Sequence, residues 1–445
     1  MIRLDGFNEG TTLQELLQEI SIMAELDHPN VIKVFEYFTG PTRDRSTRSL
    51  QVIMELCQGG ELWDRFPKYE SAPAAEKERW VFSILIQILR ALAFMHDSVR
   101  IAHKDLKPEN VLFLHRESES LRIIDFGLAE KFKMGQSKSD QQCGTPLFSA
   151  PEILSEKEFD FKVDVWSCGV MMYHMLENRG PFPAKTLTEL KQMVCTNAYA
   201  IPRPGRNTRD LSSDCIDCCF RMLSRDPRDR PRASDVLKKD PWLLRMSRAV
   251  EDGGMISPGV CQILENYHRQ SELKKAVYLF IVYFYFNASL NKLAEPVRVL
   301  FTYLDLNNTG RIQQEDIRQV LSRAGLHSRA LAGGIAHSLC RRKGATDVAF
   351  SEFLAAICSI RISTRQHELI RLAFLAFDKG SKGYLLPADL VRVCAGGRDT
   401  SQDDELRQLI SAEFPGRDRI SYDDFLAKMR SVGATQGGDQ LMGVA

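Results

Sequence analysis

The sequence predicts an α+β domain with a mainly helical larger part, followed by an all-α domain. Three observations lead there. Residues 1 to about 245 mix helical and strand signals and are dense in short polar motifs. Residues 253–258 (Gly-Gly-Met-Ile-Ser-Pro) break that pattern, and from about residue 291 the chain reads repeatedly as helix, short loop, helix. In this last block an apolar residue followed four positions later by an acid recurs as Ile312/Asp316, Val348/Glu352, Leu385/Asp389 and Ile420/Asp424, at spacings of 36, 37 and 35 residues. A period of about 20–50 residues marks repeated supersecondary units.

Composition bounds the function. The chain has 445 residues, room for two to four domains at roughly 100–200 residues each. With 44% apolar and 26% charged residues, wholesale disorder is excluded. Lys and Arg total 59 against 58 Asp and Glu, so a net charge of +1 argues against binding nucleic acid through a basic surface. Eleven cysteines without repeated spacing, and no signal-peptide pattern in residues 1–10, suggest reduced thiols in a cytoplasmic protein. Residues 276–286 form the longest apolar run, eleven residues, whereas a membrane span needs about 18 or more; no transmembrane segment is expected. Ile2 follows Met1, so the chain as given lacks a myristoylation glycine, and anchoring through a preceding segment stays open.

The strongest motif is His103-Lys104-Asp105-Leu106-Lys107-Pro108-Glu109-Asn110, followed by Ile124-Asp125-Phe126-Gly127, Gly144-Thr145-Pro146, Ala150-Pro151-Glu152 and Asp164-Val165-Trp166-Ser167. Their order and spacing resemble the protein-kinase catalytic core. That resemblance implies a protein-kinase fold with ATP and Mg²⁺ as cofactors, and phosphoryl transfer leaves protein groups mostly positioning and charge neutralisation. Asp105 is suited to orient a substrate hydroxyl and take its proton, Lys107 to offset charge on the moving phosphoryl group, and Asn110 and Asp125 to give oxygens to Mg²⁺. Asp-Leu-Lys-Pro-Glu-Asn with Gly144-Thr145 resembles Ser/Thr rather than tyrosine kinases. The same resemblance pairs Glu152 with Arg230, ties Asp164 to the catalytic-loop backbone and gives His103 a packing role.

Upstream, residues 17–30 resemble the kinase C-helix, with Glu19 in the place of the lysine-pairing glutamate. Residues 52–57 resemble the strand and hinge that meet adenine: Met54 would be the gatekeeper, and Glu55, Cys57 and, from below, Leu112 would contact the nucleotide. Glu61 resembles the acid that binds ribose and substrate arginines. The chain contains no G-x-G-x-x-G and no V-A-I-K, and the nearest counterpart of the latter is Met1-Ile2-Arg3-Leu4. There Arg3 would stand for lysine, with a bulkier and geometrically different cation. Two readings stay open: a chain lacking the family's first strands, or a kinase-derived scaffold with impaired ATP binding that acts through protein contacts. Lys104 replaces the family's usual arginine and cannot give bidentate phosphate contacts, so activation without phosphorylation of the following loop is expected, with Ser137 and Ser139 read as solvated residues.

The repeating units look like EF-hands, each a 12-residue loop between helices with an apolar residue at position 8 and an acid at position 12. In the first loop Asp305, Asn307, Thr309 and Asp316 offer oxygens at positions 1, 3, 5 and 12, Arg311 a carbonyl at 7, and Gly310 sits at 6. The second loop opens Arg341-Arg342-Lys343. The third has Gly380 and Lys382, and the fourth Pro415 and Arg417, at positions 3 and 5. Ca²⁺ is therefore expected at one site, the first. Residues 291–445 hold 21 Lys and Arg against 18 Asp and Glu, less acidic than four working sites would require.

Kinase core, junction and four EF-hand units resemble the calcium-dependent protein kinases of plants and protists. The implied division is a partial small lobe at 1–57, a large lobe at 58–245, a junction or autoinhibitory segment at 246–290, EF-hand units at 291–432 and a flexible tail at 433–445. Residues 273–286 are the candidate cleft-blocking helix, with packing on the EF-hand units as the plainer role. The implied partners are protein substrates with arginines N-terminal to the acceptor, drawn by Glu61 and Glu109, and the implied state is a monomer with an internal contact between junction and EF-hands. Cys215, Cys218 and Cys219 lie in a helical stretch and read as core thiols rather than zinc ligands.

Overall fold

A computed structural model describes residues 2–4, 13–41, 48–132, 144–203, 210–251, 258–284, 288–323, 329–340, 345–365, 367–394 and 404–430. They fall into two units, Met1–Gly253 with Asn307–Gly310, and Gly254–Leu306 with Arg311–Ala445.

In the first unit, β-branched and aromatic residues build a three-stranded antiparallel sheet in which Arg48–Met54 is central, flanked by Ile2–Leu4 and Val34–Pro41. Arg3 stands opposite Gln51, and Tyr37 opposite Val52. Leu50 and Val52, two apart, are both buried, as residues on one face of a strand must be. The amphipathic helix Leu13–Glu25 buries Ile20 and Met23.

The rest of the first unit is helical. Helix Ala74–Ala93 is buried almost all round through Ile84, Leu85, Ile88, Leu89 and Leu92, which makes it the central element. With its continuation Phe94–Val99 it is long and apolar enough to cross a membrane by length and composition, but most of it is buried in this core. Helix Lys162–Glu177 packs beside it. Two small strand pairs hold the segment between them in place: Ile101–Ala102 with Glu130–Lys131, and Val111–Phe113 with Leu121–Ile123.

The second unit is all-α apart from two short pairings. Strands Ile312–Gln313 and Asp347–Val348 pair with Ile312 opposite Val348, and an isolated bridge joins Leu385 to Ile420. These four are the residues that the period puts at position 8, so the repeats pair two by two. Helix Glu272–Phe284 belongs to this unit's core: Leu273, Val277, Tyr278, Ile281 and Val282 are buried, against helices that include Phe350–Arg365 and Pro387–Cys394. Residues 285 and 286, the end of the expected cleft-blocking segment, lie outside the described residues, as do Ser137, Ser139, residues 341–343 and the tail from 431.

Candidate active site and cation loops

The segment after strand Ile101–Ala102 cannot form a ladder, so its backbone donors need side-chain acceptors. Asp164, wholly buried in helix Lys162–Glu177, supplies them: Oδ2 accepts from the His103 N–H at 2.8 Å and Oδ1 from the Lys104 N–H at 2.9 Å. His96 Nε2 lies 2.8 Å from Asp164 Oδ2. Burial opposes the charge on Asp164, but the bonds from His96 and the His103 backbone outweigh it and hold its pKa below the ordinary value. His103 is itself buried, its Nε2 3.0 Å from the Ile124 carbonyl and its ring against Phe126. Lys104, at a left-handed φ of 68°, turns its ammonium to Glu130 Oε2 at 3.0 Å, so this cation already has an acidic partner inside the fold.

These anchors present Asp105. Its Oδ2 accepts from Lys107 Nζ at 2.6 Å and its Oδ1 from the Thr145 N–H at 2.8 Å, while Lys107 Nζ also donates to Thr145 Oγ1 at 2.9 Å. Asn110 Nδ2 donates to the Asp105 carbonyl at 2.8 Å, and the Ile124 N–H donates to the Asn110 carbonyl at 3.0 Å. Burial disfavours ionising Asp105, yet Lys107 and Thr145 prevail and its pKa is lowered. Gly144 is required here by space, since a Cβ would lie 2.7 Å from both Asp105 Oδ1 and the Lys104 carbonyl oxygen. Asp125 stands at a left-handed φ of 65°, and its Oδ1 accepts from the Gly127 N–H at 3.3 Å. Half-buried Glu19 faces this turn: burial first and the Asp125 charge second raise its pKa, while a hydrogen bond from the Phe126 backbone opposes them.

The hinge candidates lie along the chain leaving Arg48–Met54. Glu55 and Cys57 are half-buried, as is Leu112 in the strand below, and Glu61 bridges to Leu112 through its backbone. Arg122, buried under this hinge, grips Glu55 through two bonds of 2.7 and 3.0 Å. Nothing in the local sequence marks that pair, because its members are 67 residues apart and Arg122 belongs to no motif. Farther away, Arg230 meets Glu152 in a buried bidentate pair at 2.6 and 3.0 Å.

The protein kinase domain model matches residues 2–243. The chain is 30% identical over 423 residues to calcium-dependent protein kinase 6 of Plasmodium berghei, covering 93% of this chain and 27% of that protein. It is 30% identical over 429 residues to calcium-dependent protein kinase 7 of Oryza sativa, covering 94% of this chain and 73% of that protein. With calcium-dependent protein kinase 3 of Plasmodium yoelii the identity is 32% over 377 residues, covering 84% of this chain and 66% of that protein. The chain belongs to the calcium-dependent protein kinase family. The α+β kinase fold, with its helical continuation, is thereby that of a protein kinase.

The kinase's own residues Asn110 and Asp125 fit Mg²⁺. With Nδ2 fixed on Asp105, Asn110 keeps Oδ1 as a donor, and Asp125 adds a carboxylate; phosphate oxygens and water complete such a shell, because Mg²⁺ keeps few protein ligands. Among the described residues no group of three or more His, Cys, Asp or Glu is placed to hold a metal. Cys215, Cys218 and Cys219 are buried in helix Ser213–Met222, and burial raises all three thiol pKa values, against zinc ligation.

In the first EF-hand loop Asp305 and Asp316 are buried, and Gly310 takes the left-handed φ of 68° that a sharp loop turn requires. By residue type, Asp305 and Asp316 offer carboxylates and Arg311 a backbone carbonyl, hard oxygens of the kind Ca²⁺ takes. The division between the units passes through this loop: Asp305, Arg311 and Asp316 fall in one, Asn307 and Thr309 in the other.

Proposed function

We infer that the protein is an ATP- and Mg²⁺-dependent Ser/Thr kinase under Ca²⁺ control. The observation that carries this is the Asp105 carboxylate, kept ionised by Lys107 and Thr145, with Asn110 Nδ2 holding the Asp105 backbone carbonyl. Mg-ATP supplies the phosphoryl group and the cation that offsets its charge. Asp105 holds the acceptor hydroxyl and takes its proton, Lys107 stands beside it to meet negative charge, and Thr145 fixes both. An intact set of Asp105, Lys107, Asn110 and Asp125 favours an enzyme over a kinase-derived scaffold, because a scaffold has no use for aimed metal and proton-accepting groups.

Glu61 and Glu109 are exposed acids that would draw arginines N-terminal to the acceptor. The relatives are called calcium-dependent, and the first loop has the donors for that ion. The test is phosphate transfer from ATP to a serine peptide with N-terminal-side arginines, beside an arginine-to-alanine peptide and a tyrosine-acceptor peptide. Transfer to the first alone is expected. Equal use of all three would remove the substrate assignment, and transfer to none would favour the scaffold.

A further inference from the structure

The third and fourth EF-hand loops do not fit Ca²⁺, and their contacts show what replaces it. In the third, the position-5 Lys382 extends its ammonium to the position-12 Asp389, Nζ to Oδ2 at 2.9 Å. Asp389 Oδ2 also accepts from the Leu386 N–H at 3.0 Å, and Oδ1 from Arg392 Nη2 at 2.7 Å. The position-1 carboxylate of Asp378 accepts from the Lys382 and Gly383 N–H groups at 3.0 and 2.7 Å. The fourth loop repeats the device with another residue: the position-5 Arg417 pairs with the position-12 Asp424, Nη1 to Oδ2 at 2.5 Å, while Ser421 caps the same oxygen from Oγ at 2.8 Å. Its position-1 acid, Glu413, pairs with Lys428 of the following helix at 2.5 Å.

In a working loop one divalent ion draws positions 1, 3, 5 and 12 together and so fixes the exiting helix to the loop. Here a side chain at position 5, itself a ligand position, has become the cation. The two loops remain joined back to back, with Leu385 and Ile420 exchanging N–H···O bonds of 2.9 Å in both directions.

We propose that Lys382 and Arg417 are built-in cations, so that the second EF-hand pair stays assembled without metal and does not respond to Ca²⁺. Any Ca²⁺ response of the kinase then falls on the first pair. This holds whether or not the chain transfers phosphate, and its test does not read activity.

The experiment uses the full chain carrying Asp305→Ala to silence the first loop, with Ca²⁺ binding and thermal unfolding followed by calorimetry in chelator and in millimolar Ca²⁺. This parent should bind no Ca²⁺ and unfold at one temperature in both. Adding Lys382→Asp places three carboxylates around the loop, with Asp378 and Asp389. It should lower the unfolding temperature in chelator by several degrees, recover most of that in Ca²⁺, and bind one equivalent. Adding Lys382→Arg instead keeps a cation and should behave as the parent. The proposal falls if the parent binds Ca²⁺, or if Lys382→Asp leaves the chelator value unchanged. It also falls if Ca²⁺ does not relieve the loss, since Lys382 would then do something an ion cannot. Should Lys382→Asp not fold, Lys382→Asn, which puts an uncharged oxygen at position 5, carries the same expectation of a loss in chelator relieved by Ca²⁺.

Discussion

At the scale of single residues, the active loop works by spending every charge on a neighbour. Asp105 would be costly to bury alone, but Lys107 and Thr145 compensate and keep it ionised. Asp105→Asn keeps the shape and loses proton-accepting power, so kcat for peptide phosphorylation should fall by about two to four orders of magnitude, the usual worth of a positioned base. KM for peptide should change much less, and activity within about tenfold of wild type would contradict the role. His103-Lys104-Asp105 and Ile124-Asp125-Phe126-Gly127 made this loop legible in the sequence, because their order and spacing resemble the protein-kinase catalytic core. The Glu130 partner of Lys104 was not legible. A lysine in place of arginine showed that bidentate phosphate binding was lost, but not that an acid 26 residues later takes the ammonium.

At the scale of elements, buried charge pairs between distant segments hold the helical part of the first unit together. Arg230 and Glu152 are both almost fully buried, so Arg230→Ala leaves an uncompensated carboxylate and should cost about 3–5 kcal/mol in denaturant unfolding. A loss below about 1 kcal/mol would show that solvent reaches the pair. Helices Ser213–Met222 and Pro241–Glu251 are joined by Asp214 and Arg245, with Nε to Oδ2 at 2.7 Å. The Arg245 hydrogen bonds lower the Asp214 pKa from 3.8 to about 2. Because the folded value is the lower one, this pair's stability is present above the ordinary Asp value and is lost as pH falls through the folded one. The pair is largely exposed, so Asp214→Asn should cost about 1 kcal/mol or less at neutral pH, with the difference from wild type vanishing near pH 2 in an acid titration of unfolding. The Glu152–Arg230 pair was legible from the family motifs; the Asp214–Arg245 pair belongs to no motif and needed coordinates.

At the scale of the whole molecule, the structure divides into two units. The period picked out Ile312, Val348, Leu385 and Ile420 as the apolar residues at position 8; that they pair as Ile312 with Val348 and Leu385 with Ile420 is what the structure adds. What periodicity could not show is that Lys382 and Arg417 reach their own position-12 acids, because a cation at a ligand position reads only as a lost site. With the first loop best supplied with oxygens, Asp305→Ala should abolish the Ca²⁺-dependent rise in activity, measured in millimolar Mg²⁺. An unchanged response would place Ca²⁺ elsewhere. Phosphoryl transfer at Asp105, with Asp125 as the metal-binding carboxylate, is the function proposed for the chain. The most direct measurement is transfer of labelled γ-phosphate from ATP to an arginine-containing serine peptide, comparing the wild-type chain with Asp125→Asn at saturating Mg²⁺. Phosphoserine formed by wild type and reduced to background in Asp125→Asn is the predicted result; no transfer by wild type, or equal transfer by both, would contradict it.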